Sequence, residues 1–171
     1  MLPGFGGGPN QSILMALEAA LGALGVSALR GSIGRGRPSP GLTEEVARAR
    51  ALADSPPVPE AFVGRSFGGR VLARLALERV PRALVLLGYP LRSASGRRRR
   101  EDEEVLALLG CPTLIVQGSA DPLGPLRALR RLAGKNPRLE LHVVRREAHA
   151  FGTQQGEAVS MAAAWLAERL R

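Results

Sequence analysis

Apolar runs of strand length alternate with amphipathic runs of helix length along most of the chain. The strand candidates are residues 25–30 (GVSALR), 61–64 (AFVG), 83–88 (ALVLLG), 113–118 (TLIVQG) and 139–144 (LELHVV). Most are apolar throughout, the pattern of strands covered on both faces. Helical spacing predicts helices over 11–24, 42–54, 67–80, 101–109, 125–133 and 156–170. This alternation predicts an α/β fold with a mainly parallel sheet flanked by helices, forming a single domain over residues 1–171. The segments GRGRPSPG and DSPPVPE read as loops.

Composition narrows the class. A hydrophobic content of 45% is ordinary for a globular chain, and no stretch reaches the ~18 uninterrupted apolar residues of a membrane span. No membrane association is therefore expected. The opening MLPGFGGGPNQS has no basic leader before an apolar core, which predicts no secretory signal and a cytoplasmic location. One cysteine, Cys111, excludes an intramolecular disulfide and a cysteine-rich zinc site, so neither a metal nor another cofactor is expected.

A net charge of +9 raises the question of nucleic acid. Only one of the basic residues, Lys135, is a lysine, and no aromatic residues interleave with the arginines as a base-stacking surface requires. The densest basic run, residues 97–100, is followed directly by the acidic run 101–104, which predicts that much of its field is cancelled. A solvated surface is the expected role of these charges, and nucleic acid is not an expected partner.

In a parallel α/β sheet, ligand chemistry lies beyond the carboxyl ends of the strands. Those exits read GRSFGGR, GYPL, GSADPLG and REAHAFG, and three of them carry Ser66, Asp121 and His149 in chain order. Residues 64–68 fit G-x-S-x-G, in which a strand turns sharply into a helix and exposes a serine hydroxyl at the corner. Small residues two positions to either side are needed because the corner brings backbone close to its neighbours. An acyl-transfer serine needs a histidine base, and that histidine needs a carboxylate to fix its tautomer. The alternative readings are a glycine-rich turn at Ser66, a turn former at Asp121 and a surface residue at His149. Their joint occurrence in the order Ser, Asp, His favours the triad. His142, the other histidine, falls inside a strand candidate and reads as a packed or exposed surface residue.

The stretches LPGFGGG, VGRSFGGRV, LLGYPL, CPTLIVQGSADPLG and AHAFG resemble the α/β-hydrolase superfamily. Within it the chain is similar to the small dienelactone-hydrolase-like group that includes testis-expressed protein thirty and the third non-specific-lethal complex subunit. The resemblance implies Ser66 as nucleophile, Asp121 as acid, His149 as base, and an oxyanion hole from the backbone N–H groups of Phe67 and Phe5. It also implies an α/β-hydrolase fold without a lid domain, because residues 89–104 leave room for little more than a loop. An open site suits a small ester. Arg35, Arg37 and Arg65 are expected near its rim, with Arg35, Arg65 and Tyr89 as candidate substrate contacts. Two departures stand out. Pro3-Gly4 replaces the family's usual His-Gly, and only Met1 and Leu2 precede the loop, which predicts N-terminal strands that are reduced or missing.

Three functions follow. The first is a serine hydrolase cleaving a small carboxylic ester, thioester or lactone through an acyl-enzyme. The second is a catalytically weak hydrolase fold used as an interaction module, with a homodimer as one form. The third is a basic surface binding nucleic acid. The intact Ser-Asp-His set favours the first.

Overall fold

A computed structural model describes residues 1–34 and 36–171. Four strands, β1 (Ala61–Arg65), β2 (Ala83–Leu87), β3 (Thr113–Gly118) and β4 (Leu139–Val144), form one sheet in that order. All three pairings are parallel. The helices are α1 (Ser12–Ala23), α2 (Thr43–Asp54), α3 (Phe67–Glu78), α4 (Arg100–Leu108), α5 (Leu126–Ala133) and α6 (Gln155–Leu170). A short 3-10 turn, Pro40–Leu42, leads into α2.

Sequential strands side by side fix where the helices go. Crossovers between parallel strands share one hand, so α3, α4 and α5, each joining neighbouring strands, stack on a single face. Their buried residues Leu75, Leu106 and Leu129 pack with Leu84, Leu86 and Ile115 of the sheet, and α2 joins them through Val46 and Ala49. The opposite face would be bare without α1 and α6, which cover it. Leu14, Leu17, Ala162 and Leu166 meet Ala83, Val85, Leu87 and Val116 there. Side chains alternate across a strand, and every residue of β2 is buried because each face has its own cover.

Four strand expectations match to within a residue, and one does not form. Residues 25–30 carry no strand. Met1 N donates to Leu29 O at 2.6 Å and Gly31 N to Met1 O at 2.9 Å, two bonds that fall short of a ladder. Leu2 instead bridges to Gly64 at the free edge of β1, giving its carbonyl to Arg65 N and its N–H to Val63 O. The helix expected over 67–80 stops at Glu78. Pro81 disfavours helical geometry at Val80, and Arg79 is already extended.

Candidate active site

The end of β1 sets the first residue of the site. Ser66 sits between β1 and α3 at φ 48°, ψ −108°, a left-handed conformation that a residue with a Cβ adopts at a cost of about 1–3 kcal/mol. What holds it there is close packing on both sides. A Cβ on Gly64 would lie 2.3 Å from the Gly69 Cα, and one on Gly68 would lie 2.5 Å from the Pro3 carbonyl oxygen. Ser66 N donates to Leu87 O at 2.9 Å, and Gly68 N donates to Pro3 O at 3.0 Å, so β2 and the Leu2–Gly8 loop clamp the corner.

The exits of β3 and β4 bring the other two side chains to it. His149 Nε2 lies 2.8 Å from Ser66 Oγ, and His149 Nδ1 lies 2.7 Å from Asp121 Oδ2. Asp121 is 5% exposed and its carboxylate is fully used. Oδ1 accepts the Leu123 N–H at 2.8 Å, and Oδ2 accepts Gln117 Nε2 at 2.5 Å. Burial pushes the Asp121 carboxyl upward, but the hydrogen bonds from His149, Leu123 and Gln117 outweigh it and leave the group below its usual value. Gln117 is itself fixed, because its Oε1 accepts the Tyr89 N–H at 2.9 Å. Its role is invisible in the sequence, where it looks like one polar interruption of an apolar strand. Gly118 gives the third close approach, since a Cβ there would lie 2.3 Å from the Glu147 carbonyl oxygen in the loop that carries His149.

Of the two residues expected to give oxyanion donors, Phe67 follows Ser66 directly and Phe5 belongs to the loop packed against it. Gly4 places its Cβ position 3.5 Å from the Ser66 Cβ, and the two phenyl rings meet edge to face at 5.8 Å. Among the described residues neither N–H has a hydrogen-bond acceptor in the chain, whereas Gly4 N is taken by Gln11 Oε1 at 2.9 Å. The Phe5 side chain itself is 63% exposed.

Arg65, Tyr89, Arg35 and Arg37 were expected around the substrate. Tyr89 is not there. It is 0% exposed in the core under α3 and α4, where burial raises its phenol far above the usual range. Arg65 reaches the cleft wall but is 8% exposed and turned inward. Its Nη2 donates to His149 O at 2.5 Å, its Nη1 to Leu87 O at 3.3 Å, and Nη1 also lies 3.2 Å from His149 Nε2. Burial lowers this guanidinium to about 10, with Asp121 acting against the shift. It braces the histidine loop and is not at the rim. Arg37 is exposed and does not line the cleft, and Arg35 lies outside the described residues. His142 pairs with Glu157 of α6 at 2.9 Å, away from this cluster.

The Ser66 hydroxyl opens into a cleft of about 680 Å³. Residues 90–99 form one wall as a small hairpin, with an isolated antiparallel bridge between Arg92 and Arg98. Here the expected cancellation of charge between the two runs is seen at Arg98, which pairs with Glu103, but not at every arginine. Glu103 is clasped by Arg98 and Arg131, and Asp102 faces Arg70 and Arg74, so the acids of α4 leave Arg97 and Arg99 without ion pairs among the described residues. The same residues contain no cluster of three or more His, Cys, Asp or Glu placed to hold a metal, and no helix long and apolar enough to cross a membrane.

A parallel sheet whose first described strand turns through a serine corner into a helix is the architecture of an α/β hydrolase. The chain belongs to the alpha/beta hydrolase domain family, whose sequence model matches residues 32–168. Among solved structures it is similar to Est1E from Butyrivibrio proteoclasticus (TM-score 0.79, 17% identity, covering 99% of this chain and 86% of that one). It is also similar to an alpha-beta serine hydrolase homologue from Coxiella burnetii (TM-score 0.74, 23% identity, 96% and 83%). A third is the esterase domain of a Rhodothermus marinus protein (TM-score 0.75, 17% identity, 98% and 84%). At these identities the likeness is one of fold. A search of curated proteins found no match.

Proposed function

We propose that the protein is a serine hydrolase acting on a small carboxylic ester, thioester or lactone, of the dienelactone-hydrolase-like kind that its sequence resembles. The observation that carries this reading is the continuous line Ser66 Oγ, His149 Nε2, His149 Nδ1, Asp121 Oδ2, with contacts of 2.8 and 2.7 Å. Ser66 Oγ attacks the substrate carbonyl carbon while His149 Nε2 takes the hydroxyl proton. Asp121, held anionic by its donors, fixes Nδ1–H and stabilises the imidazolium. The N–H groups of Phe5 and Phe67 receive the carbonyl oxygen as it becomes an oxyanion. The bond from the carbonyl carbon to the leaving oxygen or sulfur then breaks, and the leaving group receives the proton from Nε2. Water attacks the Ser66 ester by the same route in reverse order, giving the acid and the free serine.

Ester chemistry is further supported by the nature of two structural neighbours, described as an esterase domain and as Est1E with ferulic acid bound. The test is turnover of short nitrophenyl esters by the intact chain and by Ser66→Ala. The expected result is measurable hydrolysis that falls by several orders of magnitude in the variant. Equal rates in the two proteins would refute the assignment. Absence of turnover together with absence of fluorophosphonate labelling would favour an interaction module.

A further inference from the structure

The cleft beside Ser66 has more positive charge than the chain can balance. Asp102, completely buried, accepts Arg70 Nε at 2.8 Å and Arg74 Nη1 at 2.5 Å. Glu101 lines the cleft too, but its side chain is 79% exposed and only approaches Arg74, at 3.7 Å. Against these two carboxylates stand five of the six arginines that line the cleft, Arg70, Arg74, Arg92, Arg97 and Arg99, the sixth being the inward-turned Arg65 near Asp121. Arg92, Arg97 and Arg99 make no ion pair among the described residues, and the Arg99 Nε is buried without any acceptor. A buried donor left without a partner costs about 1–3 kcal/mol, so native structures rarely keep one unless something else satisfies it. Burial, and then repulsion from Arg70, lower the Arg99 guanidinium, with Asp102 acting against the shift.

The backbone that carries the three free arginines is held in place, while the Arg92 and Arg97 side chains are exposed. Arg99 N donates to Leu91 O at 2.8 Å and Ser93 N to Arg97 O at 2.9 Å, which closes the hairpin. Arg92 N donates to Leu123 O at 2.8 Å, and Leu123 N in turn donates to Asp121. The arginine hairpin is thus tied through one residue to the loop that orients His149. A planar guanidinium fork matches the two oxygens of a carboxylate or phosphate, and low-dielectric cleft walls strengthen that attraction.

We propose that the substrate is an anionic ester, bearing a carboxylate or phosphate group that Arg92, Arg97 and Arg99 hold while its ester carbonyl lies at Ser66. This inference rests on the serine-hydrolase reading and specifies its substrate class. The test compares kcat/KM for nitrophenyl hemisuccinate with that for neutral nitrophenyl butyrate at low salt, each corrected for spontaneous hydrolysis. The anionic ester should be preferred by about tenfold or more. The preference should fall about threefold in Arg99→Gln and approach one in the Arg92→Gln, Arg97→Gln, Arg99→Gln triple variant, mainly through KM, in line with the loss of charged hydrogen bonds. Added salt should erode it as well. Hydrolysis of both esters at a ratio near one would overturn the anionic specificity and leave the hydrolase standing. If neither ester is hydrolysed, the hydrolase reading fails, and the anion site is decided by calorimetric titration of succinate and of inorganic phosphate. Binding that disappears in the triple variant upholds the site and shows which oxyanion it prefers. Equal binding in both proteins, or none, overturns it.

Discussion

At the scale of single residues, the site depends on what backbone and long side chains do out of sight. Gly68 is the clearest case, because an added Cβ would meet two carbonyl oxygens, of Pro3 and Leu2, at 2.5 and 2.6 Å. Neither can swing aside as a side chain would. Gly68→Ala should therefore displace the Phe5 loop, lower stability by about 1–3 kcal/mol in urea unfolding, and remove most ester turnover. Arg65→Met keeps the length of the side chain and deletes the donors to the His149 and Leu87 carbonyls. Turnover should drop about tenfold to a hundredfold, in kcat more than KM, with an unchanged circular dichroism spectrum. An unaffected kcat would show that the histidine loop holds itself. The depressed Asp121 carboxyl has a further consequence in acid. Because its folded pKa lies below the unfolded value of about 4, its contribution to stability is complete above that pH and is lost as pH falls through the lower folded value. Stability should fall less steeply across that acid range in Asp121→Asn than in the parent chain. The placement of Ser66, Asp121 and His149 was legible in the sequence, since each follows an apolar run of the same parallel sheet. The inward turn of Arg65 and the burial of Tyr89 were not, because both depend on which segments pack above them.

At the scale of elements, strand existence was legible wherever an apolar run had flanking helices to cover it. Residues 25–30 have the right composition, yet a strand is defined by its partner's hydrogen bonds, and the two bonds to Met1 are too few. Helix ends show a similar dependence on distant residues. Asn136, between α5 and β4, donates through Nδ2 to the carbonyls of Leu106 and Leu109, both at 3.0 Å, and so closes the end of α4. It is buried, and its own Oδ1 accepts the Arg138 N–H at 3.0 Å. Nothing in the local sequence of α4 announces this cap. Asn136→Asp keeps the shape and the acceptor but removes both donors, leaving orphan carbonyls beside a buried carboxylate. A loss of about 1–3 kcal/mol is expected in chemical denaturation. A change below a few tenths would mean that water satisfies those carbonyls instead.

At the scale of the whole molecule, one sheet separates two apolar cores and belongs to both. Trp165, the chain's one tryptophan, lies in the α1–α6 core, so its fluorescence reports that face alone. Far-UV circular dichroism reports helices on both faces. Since every residue of β2 is buried and its side chains alternate between the two cores, neither core persists without the sheet. The two signals should give coincident urea transitions, and a Trp165 transition at lower urea would show that the α1–α6 layer detaches first. Net charge was misleading at this scale. Many arginines pair with nearby acids, as Arg30 does with Glu18, Arg82 with Glu60 and Arg169 with Glu140, whereas three that do not, Arg92, Arg97 and Arg99, line the cleft beside Ser66. That concentration could only be seen once the hairpin at 90–99 was folded against the cleft. Hydrolysis through Ser66 requires a covalent intermediate at one atom. Acid quenching during turnover of a nitrophenyl ester, followed by peptide mass spectrometry, should find the acyl group on Ser66, and on no peptide in Ser66→Ala. Turnover that leaves Ser66 unmodified, or an acyl group at another residue, would contradict it.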